Sequence, residues 1–227
     1  EPVILNDLVG WRHRGAAPAQ VGEMLDQAMR LLAHPFADDE AAIIKPSNVV
    51  NALAPAMLSL RADARAILLY APLDHFLASI AGKGLFGRRW VRDLLMKQLK
   101  DGIVDLGISP DEHFLQTDLQ VAAVGWLVQH QLFATIARRW PDRVRTLDSE
   151  VLLDRPRDTL AAIGQLFGLA LDDTTVSGMV ASDGFTRNAK DGAPYSKADR
   201  DAARRSNAGL HADEIEKVFI WSKAVAE

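Results

Sequence analysis

A lysine that closes a short apolar run, followed at once by a hydroxyl and an amide, is the plainest anion-directed pattern in this chain: Ile43-Ile44-Lys45-Pro46-Ser47-Asn48. If the run is a strand of a parallel sheet, its carboxyl end opens into the crevice where ligands bind in such sheets. Lys45 then sets a cation beside a phosphate or sulfate group, with Ser47 close behind it. The same residues also read as a surface lysine ahead of a helix, with Ser47 or Asn48 accepting a backbone N–H as its cap.

A second passage from strand end into helix, Leu68 to Ser79, opens toward the same crevice. Ser79 stands one to two turns into the helix, where its hydroxyl either donates to a phosphate or bonds a carbonyl one turn back. Asp74 and His75 are adjacent, so on a helix they do not face each other, and His75 reads as a structural residue. Arg187-Asn188-Ala189-Lys190, in a glycine-containing loop, has the composition of an anion-binding loop and equally that of a solvated charged one. Lys83, Arg88, Arg89 and Arg92, with Trp90 between them, read as a solvated helix face. The chain contains no H-E-x-x-H, G-x-S-x-G, G-x-G-x-x-G or EF-hand pattern, and no G-x-x-x-x-G-K-[ST].

These residues need strands and helices to carry them. Apolar spacing predicts helices over 17–32, from 48 to about 60, over 73–80, 90–100, 160–167 and 212–225, and one long helix over 111–140. The long helix should bury Phe114, Leu115, Leu119, Trp126, Phe133 and Ile136, among others. Gly82, Gly84 and Gly87 are expected to break the helix that begins at Leu73, and 183–196 reads as a loop. Strands are expected at Ala41–Ile44, Ala66–Tyr70 and Val144–Leu147. Strands alternating with helices favour a parallel sheet in a single domain over 1–227.

Composition narrows the classes. With 48% hydrophobic and 25% charged residues, the 227-residue chain has the makings of a packed core. Its net charge of −4 offers no general attraction to nucleic acid or to an anionic membrane. The absence of cysteine excludes disulfides and thiolate zinc sites and fits a reducing compartment. No apolar run approaches a membrane span. A cytoplasmic protein with neither nucleic-acid nor membrane partners is the expectation.

Taken in order, the pieces resemble the bacterial sulfotransferase-like P-loop family. The likeness rests on Lys45 and the Leu53-Ala54-Pro55 that follows it, on Ala64 to Tyr70 leading to Ser79, on Val144 to Pro156 as the family's strand and E-x-L-x-x-x-P segment, and on Leu166-Phe167-Gly168-Leu169 as its F-L-G-L turn. It covers roughly residues 41 to 190. The resemblance implies an α/β fold, a three-layer P-loop-type parallel sheet flanked by helices and rich in helix, whose first strand and phosphate loop are absent from this chain and expected upstream of Glu1. It implies a sulfuryl group moved from 3′-phosphoadenosine 5′-phosphosulfate (PAPS) to a hydroxyl or amine of a small-molecule or glycan acceptor, with no metal. Lys45 and Ser47 would then stand at the reacting group, and Glu1 would be the general base. Ser79 would bind the 3′-phosphate, and Arg187 with Lys190 would close over the nucleotide. Two departures stand out: Ser47 occupies the place where cytosolic sulfotransferases carry histidine, and Ala71 the place of the arginine expected eight residues before Ser79. Because ATP has no 3′-phosphate, Ala71 keeps a kinase-like, ATP-dependent phosphotransferase open. A non-catalytic scaffold that dimerises through the long helix, with Trp126 and Trp140, is the third reading. All of these rest on one spatial expectation, that Lys45 and Ser79 share a cleft.

Overall fold

The computed structural model describes residues 2–35, 37, 40–188 and 192–226. Two helices open the chain, α1 (Val3–His13) and α2 (Pro18–Leu32). They pack through Leu5, Leu8, Val9, Leu25 and Ala28 against Val50 and Leu53 of a 3₁₀ turn, Asn48–Leu53. This turn runs into α3 (Ala54–Leu60). Pro18 and Pro55 sit in first helical turns, where a missing N–H costs nothing.

Two strands follow the expected positions, β1 (Ala66–Tyr70) and β2 (Val144–Asp148). They pair in parallel with register Ala66↔Val144 through Tyr70↔Asp148. Between them lie α4 (Leu73–Gly82), α5 (Gly84–Asp101), α6 (Pro110–Leu115) and α7 (Asp118–Arg139). The coarse α/β class thus holds, in a chain dominated by helix. Leu68 of β1 packs with Leu58, Phe133, Ile136 and Val144, while Leu69, pointing to the other face, is 50% exposed.

The expected strand at Ala41–Ile44 does not form. The segment is coil, Ile43 is 69% exposed, and the described sheet contains only β1 and β2. Four apolar residues form a strand only when they pair with a sheet edge, and this segment pairs with neither edge of the β1–β2 sheet. The expected helix over 111–140 is instead two, because two reciprocal caps interrupt it. Ser109 pairs with Glu112 to start α6, and Thr117 with Gln120 to start α7. The interruption turns Phe114 and Leu115 outward, at 83% and 84% exposure, rather than into the core.

From its second turn α7 is buried on nearly every side, with Val121, Ala123, Val124 and Val128 enclosed by Leu77 and Ile80 of α4, Val91 and Leu95 of α5 and Ile215 of the last helix. Gly82 ends α4 and Gly84, left-handed at φ 56°, opens α5, so the expected break falls between them at Lys83, while Gly87 lies inside α5. Gly87 is needed at this corner: a Cβ there would lie 2.5 Å from the carbonyl oxygen of Ile80. Gly102 and Gly168 end their helices in left-handed conformation.

After β2 come α8 (Ser149–Asp154), α9 (Pro156–Phe167), α10 (Asp173–Ala181), the short α11 (Asp183–Thr186), α12 (Lys197–Leu210) and α13 (Ala212–Ala226). α12 has no apolar stripe and buries no residue outright, so hydrophobic periodicity passes over it. Its start is marked instead by the Ser196/Asp199 capping box. No described helix is long and apolar enough to cross a membrane.

Candidate functional site

Parallel pairing puts the carboxyl ends of β1 and β2 side by side, and the next residues, Ala71 to His75 and Ser149 to Glu150, leave from that end. Asp148 caps α8 by accepting the N–H of Glu150 at 2.8 Å, which aims the Glu150 side chain across the strand ends. There it meets two guanidinium groups from α12. Arg200 Nη2 donates to Glu150 Oε1, and Arg204 Nη1 donates to Oε2 at 3.2 Å. His75, on the first turn of α4, completes the cluster. Its Nδ1 lies 3.3 Å from Glu150 Oε1, and Arg204 Nη1 approaches both ring nitrogens, at 2.9 Å from Nδ1 and 2.8 Å from Nε2.

Burial by itself would raise the Glu150 carboxyl; the hydrogen bond and charge of Arg200, then those of His75, outweigh it and hold Glu150 below the usual glutamate range. Around the cluster, Lys197 pairs with Asp154 at 3.1 Å and with Asp201 at 3.0 Å. One donor of Arg200, Nη1, is buried with no partner among the described residues.

Aromatic residues wall the same strand end. Trp126 of α7 donates its indole N–H to the carbonyl of Ala71 at 2.8 Å. His130 stacks on Trp126 and meets Tyr70 edge-on, with ring centroids 4.9 Å apart in the latter pair. His130 Nδ1 donates to the Trp126 carbonyl at 2.8 Å, leaving Nε2 a buried acceptor without a partner among the described residues. Burial lowers the His130 pKa, and the backbone hydrogen bond opposes this only in part. A depressed folded-state value means that His130 contributes fully above its ordinary value near 6.5 and is lost as pH falls through the folded one. Lowering pH from about 7.5 to about 5.5 should therefore reduce the melting temperature of the wild type more than that of His130→Gln. An equal drop in both proteins would show that His130 is not the group responsible.

The residues singled out from sequence distribute unevenly over this site. Ser79 lies on the same stripe of α4 as His75 and Gly82, four residues after one and three before the other. Both flanking residues touch α12, His75 through Arg204 and Gly82 against the side chain of Asn207, so Ser79, itself exposed, sits between two α4–α12 contacts. Arg187 is engaged within its own loop, with Asp183 Oδ1 at 3.1 Å and the Gly192 carbonyl at 2.9 Å. Lys45 is exposed and makes no hydrogen bond or ion pair with a described residue, so none joins it to Ser79. Glu1 and Lys190 lie outside the described residues.

Ser47 belongs to a second locus, a half-open cavity of about 410 Å³ between α1, the 3₁₀ turn and α5. Asn6, His13, Asn48, Trp90 and Lys97 line it with Ser47, whose hydroxyl donates to Asn6 Oδ1 at 2.7 Å. His13 Nε2 lies 2.5 Å from Asp101 Oδ1, a carboxylate 3% exposed that also takes Arg12. In the neutral ring that leaves Nδ1 as the acceptor. Trp90 also lines a neighbouring hollow with Lys83, which lies one turn after Ser79 at the end of α4.

Sequence reasoning passed over Glu150, Arg200 and Arg204 as site residues. The Ser196/Asp199 cap and the i,i+4 pair Lys197–Asp201 were the available signals for α12, yet neither tells where its arginines land. Compared with known proteins, the chain matches no family model, no curated relative and no solved structure.

Proposed function

We propose that this chain is a sulfotransferase-like P-loop protein, moving a sulfuryl group from PAPS to a hydroxyl or amine. The observation that carries the reading is the parallel β1–β2 pair, whose carboxyl end gathers Arg200, Arg204 and His75 next to the Ser79 stripe of α4. The three-layer P-loop architecture is part of this proposal. In the transfer, the acceptor's oxygen or nitrogen gives its proton to a general base, the role proposed for Glu1, and forms a bond to sulfur while the bond from sulfur to the bridging phosphate oxygen breaks and leaves its electron pair on the phosphate. Lys45, carried on coil rather than at the expected strand end, is the cation proposed to offset the charge that grows on that oxygen. The Ser47 cavity, of a size suited to a small ligand, takes the acceptor. Ala71 cannot supply a guanidinium. Arg204, which meets the Ser79 stripe of α4 through His75, and Arg200, one turn before it on α12, stand in for the arginine toward the 3′-phosphate.

The test is differential stabilisation. Adenosine 3′,5′-bisphosphate at about 100 times its Kd adds about 2.7 kcal/mol, which is roughly 5–10 °C of melting temperature for a chain of this size. Mg-ATP should give no comparable shift. A shift with Mg-ATP alone would move the assignment to phosphoryl transfer. No shift with either, together with a concentration-dependent dimer, would leave a non-catalytic scaffold.

A further inference from the structure

Two guanidinium donors, Arg200 Nη2 and Arg204 Nη1, converge with the His75 ring on one carboxylate at the shared end of two parallel strands. That geometry is the one a phosphate or sulfate would itself receive, because both are compact anions with several acceptor oxygens. We infer that Glu150 is an internal counter-ion of an oxyanion site, occupying with its own carboxylate the place that a ligand phosphate or sulfate takes when it enters. This inference rests on reading the crevice as an oxyanion site, though not on which molecule carries the anion.

Charge balance is the first argument. Lys197, Arg200 and Arg204 face Glu150, Asp154 and Asp201, and Asp74 stands 3.7 Å from His75 Nε2, so the cations of the closed cluster are matched by carboxylates and it has little pull on a free anion. Withdrawing Glu150 removes one negative charge from the cluster and releases the donors that it occupied. The second argument is Arg200 Nη1, a buried donor that Glu150 does not reach and that an anion with more oxygens than a carboxylate would satisfy. The third is the mounting of the arginines. α12 buries no side chain outright and is held across α4 by these ion pairs, by Ala208 against the core and by Asn207 against Gly82. Glu150 therefore both fills the site and latches its cover. An incoming anion must displace the carboxylate, and the exchange keeps α12 in place because the guanidinium groups retain a partner.

Titration calorimetry with inorganic phosphate, at constant chloride, tests this. Glu150→Gln should bind phosphate at least about 10-fold tighter than the wild type, the size of one charge-assisted hydrogen bond recovered. Adding Arg200→Gln to that variant should remove the gain. Glu150→Leu, an apolar replacement of similar reach, should show the same gain and serves if Glu150→Gln does not melt cooperatively. Equal phosphate affinity in wild type and both single variants, or a gain that survives Arg200→Gln, overturns the inference. A parallel titration with adenosine 3′,5′-bisphosphate separates the two claims. Inorganic phosphate binding to Glu150→Gln without any bisphosphate binding would retain the oxyanion site and discard the sulfonucleotide reading.

Discussion

Replacing Arg143 by methionine should lower unfolding stability by about 3 kcal/mol, since hydrogen bonds from a charged donor contribute roughly 1.5–3 kcal/mol each and several are lost together. Arg143 sits one residue before β2. Its Nη1 donates to the carbonyls of Arg61 at 2.8 Å, Ala62 at 2.8 Å and Ala64 at 3.3 Å, and its Nη2 to that of Leu58 at 3.1 Å. The Leu58 and Arg61 carbonyls end α3 and have no donor within their own helix. The same guanidinium therefore satisfies the end of α3 and ties the loop entering β1 to the residue entering β2, next to the first register pair Ala66↔Val144. Urea denaturation should show a lower midpoint with an unchanged slope. Arg143→Lys should recover only part of the loss, because one ammonium cannot reach several carbonyls as a planar fork does. An Arg143→Met midpoint within error of the wild type would mean that water replaces the guanidinium without cost.

Lys45→Ala should reduce sulfuryl-transfer turnover by about 100-fold while leaving stability within roughly 0.5 kcal/mol of the wild type. The two expectations come from separate observations. Lys45 is exposed and unpaired with any described residue, so the fold asks nothing of its ammonium. Turnover does ask for it, on the proposed mechanism, because the leaving phosphate oxygen gains charge only as the sulfur–oxygen bond breaks. Removing an interaction of that kind lowers kcat with little change in KM. Wild-type turnover in Lys45→Ala would take Lys45 out of the mechanism. A loss of melting temperature instead of turnover would make it a structural residue.

How far the sequence could be read differs from element to element. Ala66–Tyr70 was legible as a short apolar run closed by Ala71-Pro72 and Val144–Leu147 as a stretch following Pro141-Asp142, and the pairing of such strands across a helical connection is parallel. Ala41–Ile44 carries the same local signal and is coil, so an apolar run states a capacity for pairing rather than the presence of an edge to pair with. The interruption at Gln116 was written locally, in Ser109/Glu112 and Thr117/Gln120, but apolar spacing on both sides of it runs on as if one helix continued. Missing it put Phe114 and Leu115 in the core.

By itself the sequence located both strands and, closely, the helices α2, α4 and α13, through prolines, glycines and the period of its apolar residues, and it singled out Lys45, Ser47 and Ser79 as candidates for meeting an anion. The tertiary structure alone decided that α12, with no apolar face to announce it, lays Arg200 and Arg204 on a glutamate 50 and 54 residues earlier and beside a histidine 129 residues away from Arg204. The reason is physical. Caps and periodicity act over one or two turns of chain and leave their mark in neighbouring residues. An ion pair across α4, α8 and α12 depends instead on how three helices are carried by a sheet and a buried core, and no short stretch of sequence records that distance.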